Sequence, residues 1–165
     1  MSADTPVPPL PSASGADGTS GTSGSSDSGS GGSGVCLERI NPPHLSRPTG
    51  FSHAVRATSG TMVFLAGQTA LLEGQIVGVG IVAQFERALR NLLDAAAAAG
   101  AGPSDLAKLT IFAVDVADYR RRAPDIGRVW KRLVGSDYPA MAVIGATRLW
   151  DEAALVEIEG IAVVR

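Results

Sequence analysis

Cysteine and histidine are scarce in this sequence, and their scarcity excludes several kinds of site. A single cysteine, Cys36, occurs in the 165 residues, which rules out an internal disulfide and any metal site made of several cysteines. The two histidines, His44 and His53, lack the paired spacing of a metal-binding set, so we expect no metal and no cofactor. A nucleophile–base pair between Cys36 and either histidine is not favoured, because nothing in the sequence orients these residues.

Basic residues are missing from the beginning of the chain. Residues 1–34 contain no Lys, Arg or Glu and consist mainly of Ser, Gly and Pro. Such a segment offers little apolar surface to offset the entropy lost on ordering, so we predict a disordered tail. It lacks the basic start and apolar core of a signal peptide, and no apolar run could span a membrane. We therefore expect a cytoplasmic protein, without a membrane partner, whose single domain occupies residues 35–165.

This domain has no excess of one charge. It holds all 14 basic residues and 13 of the 16 acidic ones. Six of the cations cluster in the sequence, namely Arg120, Arg121, Arg122, Arg128, Lys131 and Arg132. Such a cluster could contact phosphates, but no aromatic platform for bases accompanies it. A solvated helix face is the favoured interpretation, and we do not expect nucleic acid to be the partner.

Short β-rich runs predict a sheet. Residues 51–58 and 61–67 are separated by Ser59-Gly60 and predict a hairpin, which residues 75–79 would continue. Three further strands are predicted over residues 108–116, 141–149 and 154–164.

Two segments carry apolar residues at helical spacing. The first, from Ile81, ends at Gly100, a natural helix stop. The second covers about 118–134, with Pro124 in its first turn or at a break, because a helix interior penalises proline heavily. The order of strands and helices indicates an α+β fold, with one sheet and two helices on one face.

The predicted sheet is apolar on both faces. Met62, Phe64 and Ala66 point to one side, whereas Val63 and Leu65 point to the other. Two helices cover only one face, and a face in contact with water should be more polar. The second face therefore needs another cover, most simply other copies of the chain. We predict a homo-oligomer with a ligand pocket at the boundary between copies.

Polar residues on these strands are candidate site residues. Glu157 and Glu159 are two apart and project from the same, partly apolar face, where a desolvated carboxylate has a raised pKa and can act as acid or base. Alternatively, each is solvated or paired with Arg148. Gly67 permits close backbone approach to a ligand, and Gln68 offers a donor and an acceptor; a plain turn is the alternative.

Taken together and in order, these segments resemble the Rid family, also called YjgF or RidA-like, over about residues 50–165. The motifs that carry the resemblance are VFLAGQ (63–68), AQFERALRNLLDAAAAAG (83–100), KLTIFAVDVADY (108–119), YPAMAVIGATRL (138–149) and VEIEGIAVV (156–164). The resemblance implies a chorismate-mutase-like α+β fold, assembled as a trimer with ligand sites in clefts between subunits. Well-known members hydrolyse reactive enamines and imines, such as 2-iminopropanoate, and some relatives have been labelled endoribonucleases.

The sequence departs from the deaminating members of that family at polar positions. In those members an arginine after the Pro-Ala turn holds the substrate carboxylate through its planar fork, but here the position is Met141. Their tyrosine, serine and asparagine correspond to Phe51, Ala66 and Ala123, while the strand glutamate remains as Glu157. The resemblance thus implies a catalytic Glu157 and substrate-binding residues at Phe51, Ala66, Gly67, Gln68, Ala123 and Met141.

Three functions remain open from the sequence. The first is an enzyme that acts on a larger, less charged enamine or imine by hydrolysis, tautomerisation or cyclisation, with Glu157 as acid or base. The second is a ligand-binding or scaffold protein without chemistry. The third, RNA binding or cleavage through the basic helix, ranks last because the domain is nearly neutral. In each case we expect little deamination of small 2-imino acids.

Overall fold

The computed structural model describes residues 37–165, so the predicted tail (1–34) and Cys36 lie outside the described residues. The strands are β1 (Leu37–Ile40), β2 (Ala54–Ala57), β3 (Thr61–Gln68), β4 (Leu71–Leu72), β5 (Gln75–Ile76), β6 (Leu106–Ala113), β7 (Ala140–Gly145) and β8 (Val156–Val164). The helices are α1 (Gly80–Ala98), α2 (Val116–Arg121) and α3 (Ala123–Leu133), with a short 3₁₀ turn at Pro103–Asp105. Among these helices, none combines the length and hydropathy needed to cross a bilayer.

The main sheet has four strands in the order β3-β8-β6-β7. Strand β8 runs antiparallel to both of its neighbours, whereas β6 and β7 are parallel. A parallel pair needs a crossover connection, which α2 and α3 provide. The predicted α+β class, with one principal sheet and its helices on one face, is confirmed.

Two predicted strand pairings are wrong. Strand β2 pairs with β1, and β3 pairs with β8, so residues 51–67 do not form a hairpin. The turn residues at 59–60 reverse the chain, but burial determines which strand pairs with β3. Val63 and Leu65 reach the core only when β3 lies beside β8. Strands β4 and β5 form a separate ribbon around Glu73 and Gly74, which have φ of 50° and 80°. Residues 75–79 therefore do not extend the main sheet.

The second predicted helix is divided in two. Helix α2 ends at Arg121 and α3 begins at Ala123, with Pro124 in the first turn of α3. A first-turn proline loses no helical hydrogen bond, so the break falls where the sequence predicted it. The Asp115 side chain caps α2 by accepting a hydrogen bond from the backbone N–H of Asp118 at 2.8 Å.

The two faces of the main sheet have different surroundings. Helix α1 packs Phe85 and Leu92 onto one face, where Leu109 and Ile158 are completely buried. The opposite, helix-free face exposes 71% of Phe64, and Met62 is exposed as well. The expected second apolar face is therefore present on the described chain.

Ion pairs occupy part of the basic cluster. Glu86 of α1 accepts hydrogen bonds from Arg90 and from Arg132 of α3, and these bonds, that of Arg90 first, hold the pKa of Glu86 below its ordinary value. Arg121 pairs with Asp118, and Arg128 with Asp125. Three of the six clustered cations are thus engaged by carboxylates, as a solvated helix face requires.

Candidate functional site

A groove of about 430 Å³ lies between the edge strand β7, the helices α2 and α3, and the loop before β2. Its walls combine small, aliphatic and aromatic residues. They are Thr49, Gly50, Phe51, Phe85, Tyr119, Ala123, Ile126, Gly127, Trp130, Tyr138, Met141, Ala142 and Val143. Three of the seven predicted site residues, Phe51, Ala123 and Met141, meet in this groove, although they are far apart in the sequence.

Contacts within the protein hold the aromatic walls in place. The rings of Trp130 and Tyr138 stack with centroids 5.5 Å apart and an interplanar angle of 13°. The indole N–H of Trp130 donates to the carbonyl of Asp137 at 3.2 Å. On another wall, Phe85 and Tyr119 meet edge to face at 6.3 Å. Because aromatic pairs in these geometries attract one another, the walls are ordered in the described chain before any ligand binds.

Ser52 fixes the loop that carries Phe51. Its backbone N–H donates to the carbonyl of Pro139 at 2.9 Å, and its hydroxyl donates to the carbonyl of Tyr138 at 2.7 Å. Both acceptors directly precede β7, and Ser52 itself is buried. The serine therefore ties the loop to the strand that carries Met141. This link was not predicted, since a serine in a loop gives no signal of its partner in the sequence.

The groove is uncharged, and one of its polar groups is strongly shielded. None of the 13 lining residues, all within the described part of the chain, carries a formal charge. Burial raises the pKa of Tyr119 to about 12. No hydrogen bond or charge from residues 37–165 contributes to this shift. The phenol therefore remains a neutral hydrogen-bond donor throughout the physiological pH range.

The remaining predicted residues meet on β3 and β8. A Cβ atom built on Gly67 would lie 1.9 Å from Oε1 of Glu157, so the carboxyl group lies directly on the glycine backbone. The pairing register shifts between Leu65 and Gln68, which places Gly67 at an irregularity inside the strand, not in a plain turn. Such irregularities commonly redirect side chains near functional sites. The Gln68 amide donates to the carbonyl of Ala66 at 3.3 Å.

Glu157 and Glu159 share the helix-free face, as predicted. Glu157 lies opposite Phe112 and Glu159 opposite Thr110 on β6. Glu157 is half-buried, whereas Glu159 is exposed. Neither carboxylate forms an ion pair with any residue from 37 to 165, and Arg148 lies in the loop after β7. The ion-paired alternative for these glutamates is therefore not supported.

Within one chain, the two groups of predicted residues lie on different faces of the sheet. Met141 is the partner of Leu109 on β6 and shares its helix-covered face, whereas Glu157 lies on the opposite face. Glu157 does not line the groove, so one described chain does not unite the glutamate with Met141 and Phe51. A second concavity, on the helix-free face, includes Ala66 and the exposed Phe64 among its walls.

Histidines and carboxylates do not gather into a metal site in the described region. Between residues 37 and 165, no group of three His, Cys, Asp or Glu side chains is arranged to hold an ion. The ring of His53 contacts the carbonyl of Ser46 at 2.8 Å, and its centroid lies 5.2 Å from that of the Phe51 ring in an edge-to-face arrangement. His53 thus supports the loop that forms one wall of the groove.

Four aromatic residues of the groove were not predicted as site residues: Phe85, Tyr119, Trp130 and Tyr138. Phe85 lies on the inner face of α1 and Trp130 on that of α3, and both are almost fully buried. The crossover between the parallel strands β6 and β7 brings Trp130 of α3 beside β7, and α1 packs Phe85 against the same groove. The available signal was the concentration of scarce aromatic residues between positions 119 and 138, where three of the eight occur.

Comparison with known proteins agrees with the fold. The model of the family described as Endoribonuclease L-PSP matches residues 44–164. Protein DfrA of Myxococcus xanthus is 35% identical over 115 residues, which is 68% of this chain and 84% of that protein. A 2-iminobutanoate/2-iminopropanoate deaminase of Dermatophagoides farinae is 32% identical over 128 residues, covering 76% of this chain and 94% of the deaminase.

A solved structure also superposes well. The protein YyfB of Yersinia pestis, described as a Rid family protein of unknown function, is 32% identical with a TM-score of 0.71. The match covers 78% of this chain and 98% of that one. Sequence, strand order and structural match agree, and this chain is a member of the Rid family.

Proposed function

We propose that the chain forms a homotrimer in which the groove of one copy is completed by the β3–β8 surface of the next. Two observations support this assembly. The helix-free face presents Phe64 and Met62 to solvent, and the residues predicted to share one site are divided between two faces of the chain. Bringing a second copy against the first covers the apolar face and places Glu157 next to Met141. The single observation that carries the proposal is this division of the site.

The ligand of the completed cleft is a small, largely apolar metabolite. Met141 cannot provide the bidentate, charge-assisted hydrogen bonds of an arginine, each worth roughly 1.5–3 kcal/mol. No lining residue of the groove replaces that charge. The protein is therefore not an efficient 2-iminopropanoate deaminase, in contrast to the activity that the name of the Dermatophagoides relative states.

The reaction we propose is hydrolysis of an enamine or imine, with Glu157 as acid and base. The carboxylate takes a proton from water as the water oxygen bonds to the imine carbon, and the resulting carboxyl group gives this proton to the nitrogen. The resulting amino alcohol then loses ammonia, so an imine and water become a carbonyl compound and ammonia. Gly67 leaves the space in which the carboxyl group can lie close to the backbone, and a positioned acid–base group contributes about 10²–10⁴-fold to such a rate.

A matched pair of variants tests this assignment. Glu157→Gln keeps the shape of the side chain but removes the proton carrier, whereas Glu159→Gln makes the same change at the exposed neighbour on the same face. The substrates are 2-phenylethanimine, made in the assay by an amine oxidase, and 2-iminopropanoate, made by an amino-acid oxidase. We expect accelerated ammonia release from the first only, at least about 100-fold slower with Glu157→Gln. Glu159→Gln should retain the wild-type rate.

Other results would identify an alternative function. Equal rates for Glu157→Gln and wild type would remove the proposed role of the glutamate. Ligand binding without turnover would favour the non-catalytic binding or scaffold protein. An RNA role through the basic cluster has weaker support, because carboxylates already pair with Arg121, Arg128 and Arg132.

A further inference from the structure

Aromatic residues are scarce in this protein but concentrated in the groove. The sequence has four Phe, two Trp and two Tyr, and five of these eight side chains line the groove: Phe51, Phe85, Tyr119, Trp130 and Tyr138. We propose that the groove selects a flat, uncharged ligand built on one or two fused rings, with a hydrogen-bond acceptor directed at Tyr119. This inference rests on the proposed function and specifies the ligand class of the same site.

The size and shape of the groove support a ring. Its volume of about 430 Å³ lies within the range of small-molecule sites and exceeds what a three-carbon acid needs. The ring of Trp130 is almost fully buried and stacks on the ring of Tyr138, which is partly exposed. Another flat ring can pack against Tyr138 in an offset arrangement. Met141 adds a polarizable thioether, which contacts aromatic rings favourably.

The electrostatics of the groove support a neutral ligand. A carboxylate placed here would lose its water without meeting a cation, since none of the lining residues is charged, and burial of an unpaired charge is costly. The polar side chains of the lining are one threonine, two phenols and the indole of Trp130, whose N–H already donates to Asp137. Tyr119 lines the groove, and its phenol donates no hydrogen bond to another residue between 37 and 165, so its proton is available for an acceptor such as an amide or ketone oxygen.

Three probes of related shape separate these features. Naphthalene-2-carboxamide is flat, neutral and bears an acceptor; naphthalene-2-carboxylate differs in charge, and decalin-2-carboxamide differs in flatness. Titration calorimetry with the full chain should show the naphthalene amide binding at least about tenfold more tightly than either other probe. Tyr119→Phe should weaken the amide about fivefold, the effect of one hydrogen bond, and leave plain naphthalene unchanged.

A second measurement locates the probe. The two tryptophan indole N–H signals in a nitrogen-15 NMR spectrum can be assigned with Trp150→Phe. Trp150 is 95% exposed and does not line the groove. We expect the Trp130 signal to shift on binding, the Trp150 signal to stay, and the Trp150→Phe variant to bind each probe as the wild type does.

The possible failures can be told apart. The proposed ligand class would be wrong if the carboxylate bound more tightly than the naphthalene amide, or if decalin-2-carboxamide bound equally well. It would also be wrong if no probe bound, in which case side chains of a neighbouring copy fill the groove. A trimer that rejects the naphthalene amide but depends on Glu157 for turnover would refute only this inference. A monomer that binds the amide beside Trp130 would retain the inference and refute the proposed intersubunit cleft.

Discussion

Both faces of the main sheet carry large apolar side chains, but the two faces differ in their cover. On the helix side, Leu109, Ile111 and Ile158 are inaccessible to solvent. On the other side, Phe64 is 71% exposed and Met62 58% exposed. The strands alternate regularly, so each face receives about half of the large side chains. The difference shows that the described chain buries the apolar side chains of one face and leaves those of the other face exposed.

The comparison also explains why the candidate site is divided. The groove belongs to the helix-covered side and contains rings that are already ordered by their neighbours. The carboxyl group of Glu157 belongs to the other side, where Gly67 makes room for it. A site assembled from one piece of each face needs two copies of the chain. The predictions below disturb one face at a time, beginning with the largest expected effect.

The largest effect is expected from Phe64→Glu on the helix-free face. A charge at the centre of an apolar contact between copies would be buried without a partner, which costs several kcal/mol for each copy. We expect the proposed trimer to dissociate into folded monomers at micromolar concentration, since Phe64 is not part of the buried core. Sedimentation velocity gives the mass, and circular dichroism checks the fold.

Val79→Glu is the control for this substitution. Val79 is 99% exposed and lies just before α1, away from the helix-free face. The same charge there should leave the assembly intact. If Phe64→Glu and the wild type sediment with the same mass, the helix-free face is not the contact between copies.

A smaller effect, on stability, is expected from a glycine on the covered face. A Cβ atom at Gly160 would lie 2.3 Å from Cδ2 of Leu109 and 2.8 Å from the carbonyl oxygen of Lys108. The backbone atom cannot move aside cheaply, so Gly160→Ala should lower the free energy of unfolding by about 3 kcal/mol. Chemical denaturation of the purified variant measures the change.

Gly127→Ala is the matched control in α3. A Cβ atom there has no neighbour within 4 Å in the described structure, and alanine is favoured over glycine inside a helix. This variant should gain roughly 0.4–1 kcal/mol. Equal destabilisation by both substitutions would mean that the covered face is packed more loosely than the structure shows.

Local patterns in the sequence were sufficient for the fold class but not for the pairing of strands. Helical spacing identified α1, and Pro124 marked the break before α3, because both signals are local. Strand β1 was missed and β2 was paired wrongly, since turn residues reveal where a chain reverses but not which strand it meets. That choice depends on burial across the whole sheet.

The candidate site was predictable only in part for the same reason. Phe51, Ala123 and Met141 were named through the family resemblance, and the structure brings them into one groove. Tyr119 and Trp130 were missed because an aromatic residue on an inner helix face has the same pattern whether it fills the core or lines a pocket. The contact of Glu157 with Gly67 depends on an irregularity in β3 that alternation of residues does not reveal.

The smallest effect sharpens the comparison at the groove and concerns Tyr119 at alkaline pH. Burial raises its pKa from 10.0 to about 12, so above pH 10 the unfolded chain loses the phenolic proton while the folded chain keeps it. Rising pH therefore favours unfolding. The loss of stability is complete once the pH exceeds the pKa of Tyr119 in the folded chain.

Two pKa units correspond to on the order of 2 kcal/mol. Between pH 10 and pH 12 the wild type should lose this amount relative to Tyr119→Phe, measured by denaturant unfolding at each pH. If the free energies of unfolding of the two proteins change with pH in parallel, the phenol is in contact with water. The groove would then not be a water-excluding part of a site that the second face completes.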